Sequence, residues 1–199
     1  MEGRFEILLV EYLEAGEDTR RKTAEAVLWK EFGVTGTVLV MDLSRFSTLT
    51  EKYGIVYNLA LIRQMQITAR PLIEAAGGRV VKFEADNCFA LFKGVLPAIR
   101  AAIDIHRALQ ELNTRSADPF EIRVGIGIDH GEVLLIGEND FFGLPVNRAS
   151  KLGEDLAGAG DILVTQTAYQ TLPPGCDIQS EPLNLSVSGL NLDILSIKY

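Results

Sequence analysis

Two aspartates carry the chemistry that the sequence indicates most clearly. Asp42 follows the apolar run 37–41, and Asp86 follows the strand-like segment 79–84 at a predicted tight turn. If these segments are neighbouring strands, both carboxylates reach one end of the same sheet. Converging carboxylates form an all-oxygen site that suits Mg²⁺ with its waters and substrate phosphates. On spacing alone, a turn-capping Asp42 and a turn-forming Asp86 fit equally well.

A second pair of candidate residues lies on a predicted helix over residues 143–156. Asn147 and Lys151 are four residues apart, so both face the same side of that helix. An amide and a cation on one face can position a sugar and neutralise charge on a phosphate. An amphipathic helix with a polar outer face has the same spacing, and the residues alone leave both interpretations open.

The hydrophobic pattern predicts the elements that position these residues. The core order is strand, helix, strand, strand, helix, strand, which is an α+β fold with a ferredoxin-like βαββαβ core. Extra C-terminal elements and an N-terminal helical extension, residues 1–33, complete the prediction, and residues 34–199 form the main domain. Pro71 should kink its helix or start a new turn. The predicted helices are 5–13, 18–32, 55–76, 95–112 and 143–156, and the predicted strands are 37–41, 79–84, 88–92, 121–129, 132–136, 162–165 and 192–197, with a hairpin turn at His130–Gly131.

Composition and charge exclude several classes of protein. The chain has 199 residues, 47% of them hydrophobic and 23% charged, which predicts one compact domain rather than disorder. A net charge of -8 argues against nucleic acid as a main partner. No apolar run approaches the ~20 residues that span a bilayer, and residues 1–6 do not resemble a signal peptide. Cys88 and Cys176 make no disulfide framework, so we expect reduced thiols and a cytoplasmic location.

Several blocks of the sequence together resemble a class III nucleotidyl cyclase catalytic domain over about residues 36–197. Residues 42–51, DLSRFSTLTE, resemble the family's DIVGFTxLSE, and residues 78–86, GRVVKFEAD, resemble its GGxVxKxxGD. Residues 122–133 and 142–152 resemble its RxGI, HxGxV and GxxVNxAxRL blocks. Each block alone is weak, but all of them in order indicate homology. P-loop, HExxH, CxxC and GxSxG motifs are absent from the sequence.

The resemblance implies a metal site and a catalytic pair. It implies that Asp42, Leu43 and Asp86 belong to a site for Mg²⁺ or Mn²⁺, with two ions per site. It also implies that Asn147 orients the ribose of the nucleotide. Lys151 replaces the family's transition-state arginine, which keeps the positive charge but loses the planar fork of a guanidinium group.

The resemblance also implies which residues bind the nucleotide. Lys82 and Asp140 match the two base-reading positions, where a lysine donor and an aspartate acceptor suit adenine. Arg45 and Phe46 complete the predicted nucleotide-binding set, although Arg45 stands where the family usually has glycine, and it could contact or obstruct a phosphate. The family's late lysine, which grips the terminal phosphates, has no counterpart in the stretch 187–190.

The function that the resemblance implies is an adenylate cyclase that converts ATP to 3′,5′-cyclic AMP and pyrophosphate. Its site would lie between the two subunits of a homodimer, one subunit supplying the aspartates and the other the base readers and the catalytic pair. Two alternatives stay open: a weak or inactive homologue that serves as a nucleotide-binding or regulatory dimer, and a cyclase that uses GTP or a pyrimidine nucleotide. The N-terminal helices could contact a regulatory partner.

Overall fold

A computed structural model describes residues 2–16, 18–44, 46–116, 121–183, 186–187, 190–191 and 193–199. The helices are α1 (Glu2–Glu14), α2 (Asp18–Phe32), α3 (Phe46–Tyr53), α4 (Ile55–Ala75), α5 (Val95–Arg115), α6 (Leu144–Ser150), a π-helix (Lys151–Leu156) and α7 (Gln166–Tyr169). The strands are β1 (Gly33–Leu43), β2 (Arg79–Glu84), β3 (Asn87–Phe92), β4 (Val124–Ile136), β5 (Asp140–Phe142), β6 (Ile162–Thr165), β7 (Gln179–Leu183), β8 (Ser186–Val187), β9 (Leu190–Asn191) and β10 (Ile194–Lys198).

The main sheet has the strand order that a ferredoxin-like core requires. Its path runs β2-β3-β1-β4-β6-β10-β7, with β5 paired to β4. Strand β1 lies between β3 and β4 and is antiparallel to both, whereas β4 and β6 are parallel. The helices α4 and α5 connect β1 to β2 and β3 to β4, so the predicted α+β fold with a βαββαβ core is confirmed.

Alternation along β1 decides which face of the sheet receives each side chain. Leu39 and Met41 are fully buried in the cluster formed with α4 and α5. Val38 and Val40 are buried in a second cluster on the other face. Because successive strand side chains point to opposite faces, Asp42 belongs to the face of Val40 and not to the face that the long helices cover.

This second face is covered by α6 and the π-helix, and two glycines permit the close approach. A Cβ atom at Gly127 would lie 2.1 Å from the Ala149 carbonyl oxygen, and one at Gly153 would lie 2.7 Å from the Val40 carbonyl oxygen. Only glycine allows the backbones to lie this close. The segment that carries the predicted catalytic pair is therefore fixed directly against the central strands.

The predicted hairpin at His130–Gly131 is wrong, because β4 runs straight through these residues. It pairs with β1 along its length, from Gly33 opposite Leu134 to Leu43 opposite Val124. The long β1 strand offers a partner to every residue of this segment, so no reversal occurs there. The chain turns back only at residues 137–139, where β5 begins its pairing with β4.

Two predicted helices also differ from the observed ones. Helix α4 includes Pro71, so the proline starts no separate helix, and the buried residues Met65, Ala69 and Ile73 hold α4 against the core; a kink at Pro71 stays a prediction. The helix predicted over 143–156 is divided into α6 and the π-helix. Short elements without a strong hydrophobic period were not predicted, namely α3, α7, β5, β7, β8 and β9.

The N-terminal helices form a small cluster of their own against β4. Phe5 and Leu8 of α1 pack with Leu28 and Phe32 of α2 and with Ile136. Strand β1 begins directly after α2, and a domain boundary between residues 33 and 34 stays a prediction. Among the helices of the described ranges, none is long and apolar enough to cross a membrane.

Candidate active site

The two aspartates predicted to hold divalent ions lie side by side at one end of the central strands. Asp42 is near the end of β1, and β3 pairs with β1 in a register that sets Met41 opposite Cys88. Asp86 occupies the turn between β2 and β3, two residues before Cys88. This pairing carries Asp86 to the end of β1, where its carboxyl group is close enough to that of Asp42 to raise the pKa of Asp42.

Burial and negative charge favour the protonated form of Asp42. They raise the pKa of Asp42 from 3.8 to about 7, with burial as the largest cause, followed by the charges of Asp86 and Glu154. A hydrogen bond from the Leu43 backbone opposes the shift. The buried carboxyl group of Asp42 therefore ionises less readily beside a second carboxylate when no cation is present.

The donor set fits a divalent cation that brings its other ligands with it. Within the described ranges, no group of three or more His, Cys, Asp and Glu side chains could enclose a metal ion. The Leu43 side chain is buried in the core, so this residue can contribute only through its main chain. Mg²⁺ often takes one or two carboxylates and completes its shell with water and substrate phosphate oxygens. Asp42 and Asp86 fit that pattern.

The two predicted base readers are also in contact with each other. Lys82 lies on β2, and its Nζ atom is 3.2 Å from the Asp140 Oδ1 atom at the start of β5. The Lys82 ammonium is also 5.1 Å from the centre of the Phe89 ring. A cation beside an aromatic face and a carboxylate is held in place by both. The structure thus brings together two residues that are 58 positions apart in sequence.

A carboxylate that the sequence analysis missed also binds Lys82. The Glu84 Oε2 atom is 2.9 Å from Lys82 Nζ, and this contact is the largest cause of the raised pKa of Lys82. The signal was present in the sequence, because residues two apart on a strand point to the same face. Glu154 was missed as well, and its pKa is raised chiefly by burial, with Asp155, Asp86 and Glu84 adding to the effect.

Asn147 and Lys151 lie one helical turn apart, as their spacing predicts. The Lys151 backbone N–H donates to the Asn147 carbonyl oxygen, which keeps this turn intact where the π-helix begins. The Lys151 ammonium is 2.6 Å from the Asp155 Oδ2 atom. Among the hydrogen bonds and ion pairs between described side chains, none joins Asn147 or Lys151 to the acidic pair of β1 and the β2–β3 turn.

A buried charge anchors α6 to the sheet. Asp129 of β4 is fully buried, and it accepts a hydrogen bond from the Thr165 hydroxyl group of β6. Its other carboxylate oxygen lies 3.8 Å from the Arg148 guanidinium group. A buried carboxylate that loses its cation is strongly destabilising. The pair therefore links α6 to β4 at the residue next to Asn147.

Some predicted residues lie outside what the structure describes. Arg45 is outside the described residues, and of Phe46 only its place at the start of α3 is described. In the stretch where the family's late lysine is missing, Val187 and Leu190 belong to the short strands β8 and β9, and residues 188–189 are outside the described part. The roles predicted for Arg45 and Phe46 stay predictions.

A family model of the adenylate and guanylate cyclase catalytic domain matches residues 35–190. The chain belongs to this family. The match includes the acidic pair, the base readers and α6, so the family resemblance that the motifs predicted is confirmed. The chain is therefore a nucleotidyl cyclase domain, and the description of the family covers both adenylate and guanylate cyclases.

Two curated relatives have names that state no activity. The uncharacterized protein Rv2212 of Mycobacterium tuberculosis is 30% identical over 152 residues, which cover 76% of this chain and 38% of that protein. The uncharacterized protein Mb2235 of Mycobacterium bovis gives the same values. The chain thus spans well under half the length of the curated relatives that it matches.

Solved structures of similar fold include cyclases for both purine nucleotides. The adenylyl cyclase CyaB from P. aeruginosa has a TM-score of 0.71 and 19% identity, covering 84% of this chain and 96% of that chain. An adenylate/guanylate cyclase/hydrolase from Silicibacter pomeroyi has a TM-score of 0.67 and 27% identity, covering 83% and 96%. The guanylyl cyclase Cya2 has a TM-score of 0.69 and 19% identity, covering 83% and 92%. Similarity of fold therefore does not distinguish ATP from GTP.

Proposed function

We propose that this domain is an adenylate cyclase that converts ATP to 3′,5′-cyclic AMP and pyrophosphate. The choice of ATP rests on the contact between Lys82 and Asp140, with 3.2 Å between Nζ and Oδ1. A lysine donates a hydrogen bond to ring nitrogen N1 of adenine, and an aspartate accepts one from the 6-amino group. Guanine presents an N–H and a carbonyl oxygen at these two places, so the same pair opposes it.

The proposed reaction is an internal phosphoryl transfer. The ribose 3′-oxygen forms a bond to the α-phosphorus, the bond from that phosphorus to pyrophosphate breaks, and the 3′-hydroxyl proton is released. Asp42 and Asp86 would hold Mg²⁺ or Mn²⁺, two ions per site; when bound, these ions neutralise phosphate charge and activate the 3′-oxygen. Asn147 orients the ribose, and Lys151 neutralises charge that develops on the transferred phosphoryl group.

The proposed site is shared between two copies of the chain. One subunit supplies the acidic pair, and the other supplies Lys82, Asp140, Asn147 and Lys151. A two-fold homodimer then contains two equivalent sites. Regulation through α1 and α2 is a further expectation that this proposal does not need.

Product identification tests the proposed function directly. The protein is incubated with ATP, GTP, CTP or UTP and with Mg²⁺ or Mn²⁺, and the products are identified by mass spectrometry. We expect cyclic AMP from ATP, and we expect Asp42→Asn and Asp86→Asn to abolish it while the protein stays folded. Glu181→Gln, at an exposed ion pair on β7, serves as the control. Undiminished turnover in either aspartate variant would falsify the assignment.

One observation favours a second function, a nucleotide-binding dimer with little or no turnover. Lys151 is already paired with Asp155 at 2.6 Å, so its charge is partly neutralised before any phosphate arrives. A lysine also lacks the bidentate geometry of the arginine that the family uses. Tight binding of ATP without cyclic product, in the presence of Mn²⁺, would support this function over the first.

A further inference from the structure

The base-reading lysine has two carboxylate partners rather than one. Lys82 Nζ lies 2.9 Å from Glu84 Oε2 and 3.2 Å from Asp140 Oδ1. The Lys82 side chain is 29% exposed, and that of Glu84 is 66% exposed. An ammonium group has three hydrogens to donate. Two of them are directed to carboxylates, so one remains for a ligand.

The sheet holds both Lys82 and Glu84 in place. They are two residues apart on β2, and the register with β3 sets Lys82 opposite Phe89 and Glu84 opposite Asn87. Because both backbones are fixed by this ladder, the contact between the two side chains does not depend on a loop. Asp140 comes from a different strand, β5, and it can separate from Lys82 without disturbing β2.

We propose that Glu84 is a positioning residue that keeps the Lys82 ammonium at the place where it reads adenine. This inference rests on the proposed adenylate cyclase function. An adenine edge must enter between Lys82 and Asp140, so their direct contact opens when the base binds. Glu84 retains Lys82 during this step, which leaves one ammonium hydrogen for adenine N1 and an Asp140 oxygen for the 6-amino group.

The loss of Glu84 should weaken ATP binding and leave GTP binding unchanged. Without Glu84, Lys82 pairs with Asp140 alone and closes the edge that adenine needs. Guanine presents the opposite pattern of donor and acceptor, so GTP gains nothing from Lys82 in this position. Exposed ion pairs contribute modestly, and we expect the KM for ATP to rise by up to about fivefold in Glu84→Ala. The kcat for ATP should stay within about twofold, because Glu84 does not touch the reacting atoms.

The experiment compares Glu84→Ala and Glu84→Gln with Glu181→Ala. Glu181 forms an exposed ion pair with Lys198 at 2.8 Å on β7, at the opposite edge of the sheet from β2. The full chain is assayed with ATP and GTP in Mn²⁺, and melting temperatures confirm that the variants are folded. We expect a lower ATP preference in Glu84→Ala, an intermediate value in Glu84→Gln, which keeps an acceptor oxygen, and no change in Glu181→Ala.

Affinities for the α,β-methylene analogues of ATP and GTP, which cannot be cyclised, are measured in parallel by titration calorimetry. These affinities test the role of Glu84 even if the protein forms no cyclic product. A lack of product would overturn only the proposed function. A selective loss of affinity for the ATP analogue in Glu84→Ala supports the positioning role. Equal losses for both analogues, an unchanged ATP affinity, or the same loss in Glu181→Ala would overturn it.

Discussion

A divalent cation that binds Asp42 and Asp86 should displace the proton that Asp42 carries. The pKa of Asp42 is about 7. Asp42 therefore carries about nine tenths of a proton at pH 6, about half at pH 7 and about one tenth at pH 8. Metal binding requires the deprotonated carboxylates, so it should release these amounts. Proton release should thus fall as the pH rises from 6 to 8.

The same shift predicts how stability depends on pH when no metal is present. The folded-state pKa of Asp42 lies above the ordinary value of 3.8, so the folded protein binds this proton more tightly than the unfolded chain. The contribution is complete below about pH 4 and is lost as the pH rises through about 7. A shift of this size corresponds to about 4 kcal/mol, and solvent screening at the partly exposed carboxyl group reduces it to about 1–2 kcal/mol.

Titration calorimetry with Mn²⁺ measures the released proton when it is repeated in two buffers of different ionisation enthalpy. Asp86→Asn removes one charge, so we expect weaker Mn²⁺ binding and little proton release at pH 6. Glu181→Gln should behave like the unmodified protein, because its ion pair lies on β7. Release that does not vary between pH 6 and 8, or that persists in Asp86→Asn, would refute the reasoning.

Three further predictions concern catalysis, stability and subunit sharing. Lys151→Arg restores a planar fork, and we expect kcat for cyclic nucleotide formation to rise about tenfold. Burial lowers the pKa of His106 to about 4, so this residue contributes stability above pH 6.5 that is lost as the pH falls towards 4. The free energy of unfolding, measured with urea, should therefore differ between pH 7 and 4.5. In His106→Gln we expect this difference to be smaller by about 2 kcal/mol. An equal mixture of the inactive variants Asp86→Asn and Asn147→Ala should regain about a quarter of the original activity if subunits share sites, and none if each subunit has its own.

The position of the acidic pair could be predicted because it depends on strong local patterns. The continuous apolar run before Asp42 identifies a central strand, and the short polar turn at Asp86 identifies a hairpin. Strand order in a βαββαβ core then brings the two together. The effect of Asp86 on the pKa of Asp42 agrees with that expectation. Their role in holding metal stays a prediction.

Other features depend on contacts that a local pattern does not contain. His130–Gly131 has turn-forming residues, but a long β1 strand lies opposite and the pairing continues through them. Ala85 stands where the family has glycine, and in the sequence this is a change of one methyl group. In the structure the φ angle of Ala85 is 50°, which lies in the left-handed region that favours glycine. The division of the predicted helix 143–156 into α6 and the π-helix has no such local signal, although the Lys151–Asp155 pair keeps the i, i+4 spacing of a regular helix.

The described side chains around the proposed site offer little unpaired positive charge to a triphosphate. Under the proposed function, the neutralising charge would therefore come with the metal ions. Lys82 is paired with two carboxylates, and Lys151 is paired with one, so both lysines are largely neutralised by their own chain. Asp42, Asp86 and Glu154 add negative charge nearby, as the causes of the raised pKa of Asp42 demonstrate. A bare triphosphate would be repelled by this arrangement. Each divalent ion cancels two negative charges of a triphosphate, so the proposed metal ions would reduce this repulsion.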